Sequence, residues 1–440
     1  MSRVRSWVDD AIWWQVHPLS FTGAERTALP DGELRHRLPH LQRWLDHLLG
    51  LGCNGLALGP VSASGTHGYD TVDHFRVDPR LGDDGDLDAL LAAAHERGIR
   101  VLLDGVFNHV GRDHPAFRAV VEQGPDAPTA DWFRLSWPED RTPGTPPRAD
   151  VFEGHDALVE LDHSSPAVAD LVTRVMTHWL DRGADGWRLD AAYAVPPSFW
   201  ARVLPAVRTA SPDVYVVGEV IHGDYARIVA EGGLDSVTQY ELWQAVWHGI
   251  EERNLFELAW SLQRHGEFLG SFVPWTFVGN HDVTRIASAI SDERDLPHAL
   301  VVLFTVGGTP AVWSGDEHAF RGVKEDRPGG DDAVRPPFPD DPSQLSPLGE
   351  PTFHLHQELI GLRRRHRWLH TAAPEQVHVA NEQLVYAVAG DGERLLVALN
   401  LADSPARVPA PGAGAVLAGA SSVGRDGVEL PAHGWAVLTG

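Results

Sequence analysis

Short apolar runs alternate with amphipathic stretches from the start of the chain to about residue 315. The runs at 11–16, 54–58, 99–104, 184–190, 214–219, 236–240, 275–280 and 309–313 are mostly apolar, as strands buried on both faces are. Between them, 38–49, 87–97 and 166–180 carry apolar residues at helical spacing. Strands separated by helices in this way predict an α/β chain with a parallel (β/α)8 TIM barrel, not a sandwich.

One interval breaks the rhythm. About sixty residues separate the third strand from the helix at 166–180, with a Pro-, Asp- and Arg-rich stretch at 137–150. Trp132, Phe133, Leu135, Trp137 and Phe152 give this interval an apolar cluster of its own, which predicts a small inserted subdomain. A second long loop, 315–342, follows the eighth strand. Beyond a helix at 353–367 the period changes to short strand-like runs at 384–388, 395–400, 415–417 and 435–438, which predict a C-terminal all-β domain. The expected division is a barrel from 1–109 and 156–370, an insert at 110–155 and a β domain at 371–440.

The strand ends carry the chemistry. Asp190, Glu219 and Asp282 each close an apolar run, a costly place for a charge unless it is used. Arg188 lies two residues before Asp190, so both side chains share one face of the strand, and a guanidinium there would keep Asp190 ionised. Glu219 follows apolar Val216, Val217 and Gly218, surroundings that would raise its pKa and suit a proton donor. The other strand ends add Tyr69, Asp70, Asp104, Asn108, His109, Asn280 and His281, but no Ser-His nucleophile elbow and no glycine-rich phosphate loop. Paired carboxylates among His, Arg and Tyr suit glycosidic cleavage, in which one acid is ionised at the anomeric carbon and the other protonates the leaving oxygen. Asp104 is expected to anchor the loop after the third strand through hydrogen bonds, and Trp13 and Trp14 to pack the barrel.

A formal charge of −25 excludes the basic footprint that nucleic acid or an anionic membrane requires. The single cysteine, Cys53, excludes an intrachain disulfide. Residues 1–10 show no apolar signal region, and no run approaches membrane-spanning length, so a cytoplasmic protein is expected. Oligomeric state is not legible in the sequence.

These segments resemble the signature regions of the α-amylase family of glycoside hydrolases (glycoside hydrolase family 13): Asp-Gly-Val-Phe-Asn-His at 104–109, Gly-Trp-Arg-Leu-Asp at 186–190, Gly-Glu-Val at 218–220 and Val-Gly-Asn-His-Asp at 278–282. His-Gly-Tyr-Asp at 67–70, Leu-Asp-His-Ser-Ser-Pro at 161–166 and Gly-Asp-Asp-Ala-Val-Arg-Pro-Pro-Phe at 330–338 match accessory segments in the same order. The resemblance implies a retaining double displacement with Asp190 as nucleophile, Glu219 as acid/base and Asp282 as the carboxylate that grips the distorted sugar. It implies that Tyr69 stacks beneath that sugar, that His109, Arg188 and His281 hydrogen-bond it or the nucleophile, and that Asp70 and Arg335 line the substrate site. Asn108 and Asp162 stand where many members bind structural calcium, but Ala191-Ala192-Tyr193-Ala194 lacks the Lys-His pair of calcium-dependent amylases. Two donors fall short of the six or more that calcium takes, so no cofactor is expected.

The expected substrate is a short malto-oligosaccharide. Ala191 after the nucleophile goes with α-1,4 links in α-glucosidase relatives, and the barrel pattern begins too early for the N-terminal β domain of the neopullulanase and cyclomaltodextrinase branch. The competing readings are a transglycosylase or isomerase acting on trehalose, sucrose or isomaltose through the same intermediate, and a catalytically inactive binding subunit.

Overall fold

The computed structural model describes residues 6–137, 145–327, 329–425 and 427–440. Eight short strands form one parallel sheet: β1 (Trp13–Val16), β2 (Gly55–Leu58), β3 (Arg100–Gly105), β4 (Gly186–Leu189), β5 (Tyr215–Gly218), β6 (Ser236–Val237), β7 (Trp275–Phe277) and β8 (Thr309–Trp313). Their order is β6-β5-β4-β3-β2-β1-β8-β7. A parallel bridge between Thr238 and Trp275, with Gln239 N donating to Trp275 O at 2.9 Å, joins the two edges and closes the barrel. Closure leaves no open strand edge and brings all the strand ends to one face.

Adjacent strand residues point to opposite faces, and the Trp pair of β1 uses both. Trp13 turns inward and stacks on Trp275 (centroids 5.3 Å apart) and Tyr215 (6.3 Å) as the barrel's plug. Trp14 turns outward and stacks on Trp44 at 6.2 Å. The register places Gly55 beside Trp13, and a Cβ there would lie 2.3 Å from the indole, so only glycine fits. Burial pushes the Cys53 thiol up, which makes it an unreactive core residue.

Helices cover the outside. Asp84–Glu96 begins in a capping box closed by Asp83 and Asp86, and Pro166–Asp181 and Pro197–Ala210 each open on a proline, which suits the first turn. The helix expected over 38–49 is instead two, Leu38–Gln42 and Leu45–Leu51. The break at Arg43 and Trp44 lets Arg43 Nε donate to Asp340 O (2.8 Å) and Trp44 Nε1 to Pro339 O (3.3 Å), tying down the loop after β8.

The interval after β3 holds a helix, Pro115–Gln123, and two antiparallel pairings, His109–Gly111 with Leu158–Glu160 and Leu135–Ser136 with Arg148–Ala149. Within the Pro-, Asp- and Arg-rich stretch at 137–150, residues 138–144 lie outside the described residues, as do residues 1–5 at the N-terminus.

The C-terminal domain is two antiparallel sheets. Its strands are β9 (Glu375–Val379), β10 (Gln383–Gly390), β11 (Glu393–Asn400), β12 (Ala406–Pro409), β13 (Val416–Gly419), β14 (Ser422–Val423), β15 (Gly427–Leu430) and β16 (Trp435–Thr439). The sheets run β9-β10-β11-β16-β13 and β12-β15-β14, with Val385, Leu396, Val408 and Val428 in a shared core. Among the described residues, no helix is long and apolar enough to cross a membrane.

Candidate active site

A cavity of about 600 Å³ opens at the C-terminal ends of the barrel strands, with Asp190, Glu219 and Asp282 in its lining. Arg188, on β4 and 7 % exposed, organises its floor. One guanidinium nitrogen, Nη1, lies 2.8 Å from both Asp104 oxygens and 3.3 Å from Asp190 Oδ1. The other, Nη2, lies 2.6 Å from Glu219 Oε1. Three carboxylates, one on β3 and one just past each of β4 and β5, therefore share one cation.

This corrects two expectations. Glu219 does not sit in apolar surroundings: besides Arg188, Ala191 N donates to its Oε2 (3.0 Å) and the Tyr240 hydroxyl donates to Oε1 (3.2 Å). Sequence neighbours alone hid these partners, which arrive from other strands. Nor does Arg188 alone keep Asp190 ionised. Burial, and after it the charge of Glu219, push the Asp190 carboxyl well above its ordinary value against the pull of Arg188. Like charges held so close oppose each other, which adds to the cost of ionising Asp190.

Asp282 differs. Burial opposes its charge, but the His281 imidazole, 2.8 Å from Oδ2, and the guanidinia of Arg335 and Arg188 outweigh burial and hold the carboxyl well below the usual carboxylate range. Arg335 Nη2 is 2.7 Å from Asp282 Oδ1, and its Nε donates to His281 O at 2.8 Å. Asp282 stays an anion and faces the cavity as an acceptor.

Tyr69 lines the cavity with its ring parallel to that of His281, centroids 5.4 Å apart. Its hydroxyl pairs with His281 Nε2 and donates to Asp104 Oδ2 at 3.3 Å. His109 also lines the wall, but both ring nitrogens are engaged: Nε2 donates to Tyr69 O (3.0 Å) and Nδ1 accepts from Asn108 Nδ2 (3.3 Å). Burial pushes its pKa down to about 4, so the imidazole is neutral. These contacts hold the cavity wall to the backbone of Tyr69. Asp70 is not in the cavity lining. It is 7 % exposed, and its carboxylate accepts from Thr66 N (3.0 Å) and Thr66 Oγ1 (2.9 Å), which fixes the turn that presents Tyr69. Asp104 does more than anchor a loop, since it is the main counter-ion of Arg188.

Asp162 Oδ1 accepts from Ser164 N (2.9 Å) and Oγ (2.7 Å), a turn that leads into Pro166–Asp181, and Asn108 Nδ2 faces His109 Nδ1 at 3.3 Å.

Three features escaped the sequence. Tyr240, just past β6, touches Glu219 and accepts from Asn280 Nδ2 at 2.9 Å. Its place at the end of a predicted strand was the available signal. Ala191 adopts φ 46°, a left-handed conformation rare for alanine, and this aims its N–H at Glu219. Tyr193 donates to Glu153 Oε1 (2.7 Å), which bridges the loop after β4 to the insert across the cavity wall. Replacing Tyr240 by Phe should lower kcat about tenfold with KM changed little, because the lost donor acts on the proton carrier and not on bound sugar; steady-state kinetics on maltose checks this split.

Residues 15–372 match the model of the α-amylase catalytic domain. The chain belongs to the α-amylase family. Residues 375–439 of this family member match a domain of unknown function, DUF3459. The chain is 32 % identical over 424 residues to a cyclomaltodextrinase of a Bacillus species, covering 90 % of this chain and 73 % of that one. It is 29 % identical to a cyclomaltodextrinase of Geobacillus thermopakistaniensis over 92 % of this chain and 71 % of the relative. Among solved structures, the debranching enzyme of Nostoc punctiforme superposes with a TM-score of 0.83 at 25 % identity, with both chains wholly covered. This α-amylase family member is a glycoside hydrolase.

Proposed function

We propose that the protein is a retaining hydrolase of α-1,4-glucosidic bonds in short malto-oligosaccharides, working through a glucosyl ester on Asp190. The observation that carries this reading is the grip of one guanidinium on both Asp190 and Glu219. So close a pairing favours direct attack by the carboxylate over insertion of a water between base and sugar.

In the first step Glu219 gives its proton to the glycosidic oxygen while Asp190 attacks the anomeric carbon; the C–O bond breaks and the leaving sugar departs as an alcohol. In the second, ionised Glu219 takes a proton from water, whose oxygen attacks the same carbon and releases Asp190. Asp282, ionised throughout, accepts hydrogen bonds from the sugar hydroxyls and balances the positive charge that develops on the ring. Arg188 spreads its charge over both reacting carboxylates in either step.

The lining supports a neutral substrate, because Glu153, Asp190, Glu219, Glu241, Asp282 and Asp331 outnumber Lys324 and Arg335. Two of the named relatives are cyclomaltodextrinases, which supports a malto-oligosaccharide substrate. A cytoplasmic enzyme of this kind would meet short soluble chains. Chromatography of products from maltose, maltotriose, cyclodextrin, isomaltose, trehalose, sucrose and pullulan tests the proposal. Glucose and maltose should form fastest from the α-1,4 substrates. Mainly rearranged or longer glucosides would overturn hydrolysis, and preference for isomaltose, trehalose or sucrose would overturn the linkage.

A further inference from the structure

Of the 36 lysine and arginine residues in the chain, Lys324 is the only lysine. It lines the catalytic cavity. Where every other cationic position uses arginine, an ammonium in this one place marks a different chemical task.

Its surroundings define that task. Lys324 N donates to Thr284 Oγ1 at 3.1 Å, which pins the loop after β8 two residues beyond Asp282. The side chain is 40 % exposed, and Nζ lies 3.6 Å from Asp331 Oδ1, an ion-pair distance too long for a hydrogen bond. Asp331 Oδ2 is 3.2 Å from Arg335 Nη2, and the same nitrogen is 2.7 Å from Asp282 Oδ1. A relay of alternating charge therefore runs from Asp282 outward to Lys324. Among the described residues, none of the three N–H donors of Lys324 makes a hydrogen bond to protein.

The side of the cavity follows from the proton donor. Glu219 protonates the leaving oxygen, so the departing sugar lies toward Ile221, Tyr240, Glu241 and Trp243. The wall with Asp282, Arg335 and Lys324 then faces the sugar that stays on Asp190 and any unit attached beyond it. Asp282 takes the first of these, and Lys324 sits three polar contacts farther out. Resting on the proposed hydrolysis of α-glucosides, we infer that Lys324 is a specificity-determining residue whose ammonium donates to hydroxyls of the second glucose on the non-leaving side. Its charge is already matched by Asp331, so it selects neutral hydroxyls and not an anionic group. An arginine there would close a two-pronged grip on Asp331 and lose its donors to the protein.

The test compares 4-nitrophenyl α-maltoside with 4-nitrophenyl α-glucoside, since release of nitrophenol from the maltoside requires that second site to be filled. In Lys324→Ala, kcat/KM on the maltoside should fall about tenfold or more, chiefly through KM, and on the glucoside less than about threefold. Lys324→Arg should not restore it. Equal losses on both substrates would overturn the inference. A second measurement needs no turnover: in the Asp190→Asn protein an amine-acylating reagent has one side chain to modify, and peptide mass spectrometry reads its rate at Lys324. Maltotriose should slow that labelling more than glucose does, and labelling unaffected by maltotriose would overturn the assignment. If the wild-type protein hydrolyses no α-glucoside at all, the proposed function fails by itself, whereas the labelling result still decides whether Lys324 meets sugar.

Discussion

The Asp190→Asn protein should lose turnover on every α-glucoside by a factor on the order of 10⁴ or more, and yet melt at a higher temperature than the wild type. The first effect follows from chemistry, since an amide cannot form the glucosyl ester. The second follows from electrostatics. Burial, and then the charge of Glu219, raise the Asp190 carboxyl above the value it has in the unfolded chain. The folded state thus holds that proton more tightly than the unfolded one. Stability contributed by this group is present at low pH and lost as pH rises from the unfolded value through the raised folded value. At neutral pH the folded protein carries the penalty, and asparagine removes it. A gain in melting temperature of about 2 °C or more at pH 7, shrinking as pH falls toward the ordinary carboxylate range, is the expected signature. A variant that keeps hydrolysis would dismiss Asp190 as nucleophile. One that is inactive but less stable would dismiss the electrostatic account.

The Glu219→Gln protein should show losses that depend on the leaving group. On maltose, whose departing alkoxide needs a proton, a drop of about 10³-fold or more is expected. On α-glucosyl fluoride, which leaves without one, the first step should be largely spared, and added azide should trap the ester as the glucosyl azide. The pH profile adds a signed prediction. Wild-type kcat/KM should fall in acid as Asp190 takes up a proton. The acid limb lies above the ordinary carboxylate range because burial raises Asp190. In Glu219→Gln, assayed on the fluoride, that acid limb should remain. Equal losses on maltose and fluoride would remove Glu219 from the proton-donor role.

The strands and their order were legible because parallel strands buried on both faces give continuous apolar runs, as at Val214, Tyr215, Val216 and Val217. The antiparallel C-terminal strands β10, β11 and β16 were legible from their buried apolar centres, whereas β9, with exposed Glu375 and Gln376, carries too few apolar positions to stand out. The candidate acids were visible as charges at strand ends. What surrounds them was not, because Arg188 reaches Glu219 and Asp104 across neighbouring strands, and Tyr240 reaches Glu219 from β6. Local sequence reports the neighbours along a strand, and pKa follows the neighbours across it. Asp70 and His109 lie near the site in sequence, and their partners Thr66, Asn108 and the Tyr69 backbone were likewise not readable from it.

The barrel's closure has a thermal consequence. The seam between β6 and β7 rests on one bridge, Thr238 to Trp275, and β6 is only two residues long. Tyr240 stands on one side of that seam and Asn280 and Asp282 on the other, with the Asn280–Tyr240 bond spanning it. The least-paired joint of the sheet therefore runs through the reaction centre. Fraying there would separate the group that steadies the proton donor from the group that grips the sugar while the rest of the barrel stays wound, so activity should be lost at a lower temperature than the circular-dichroism signal of the fold.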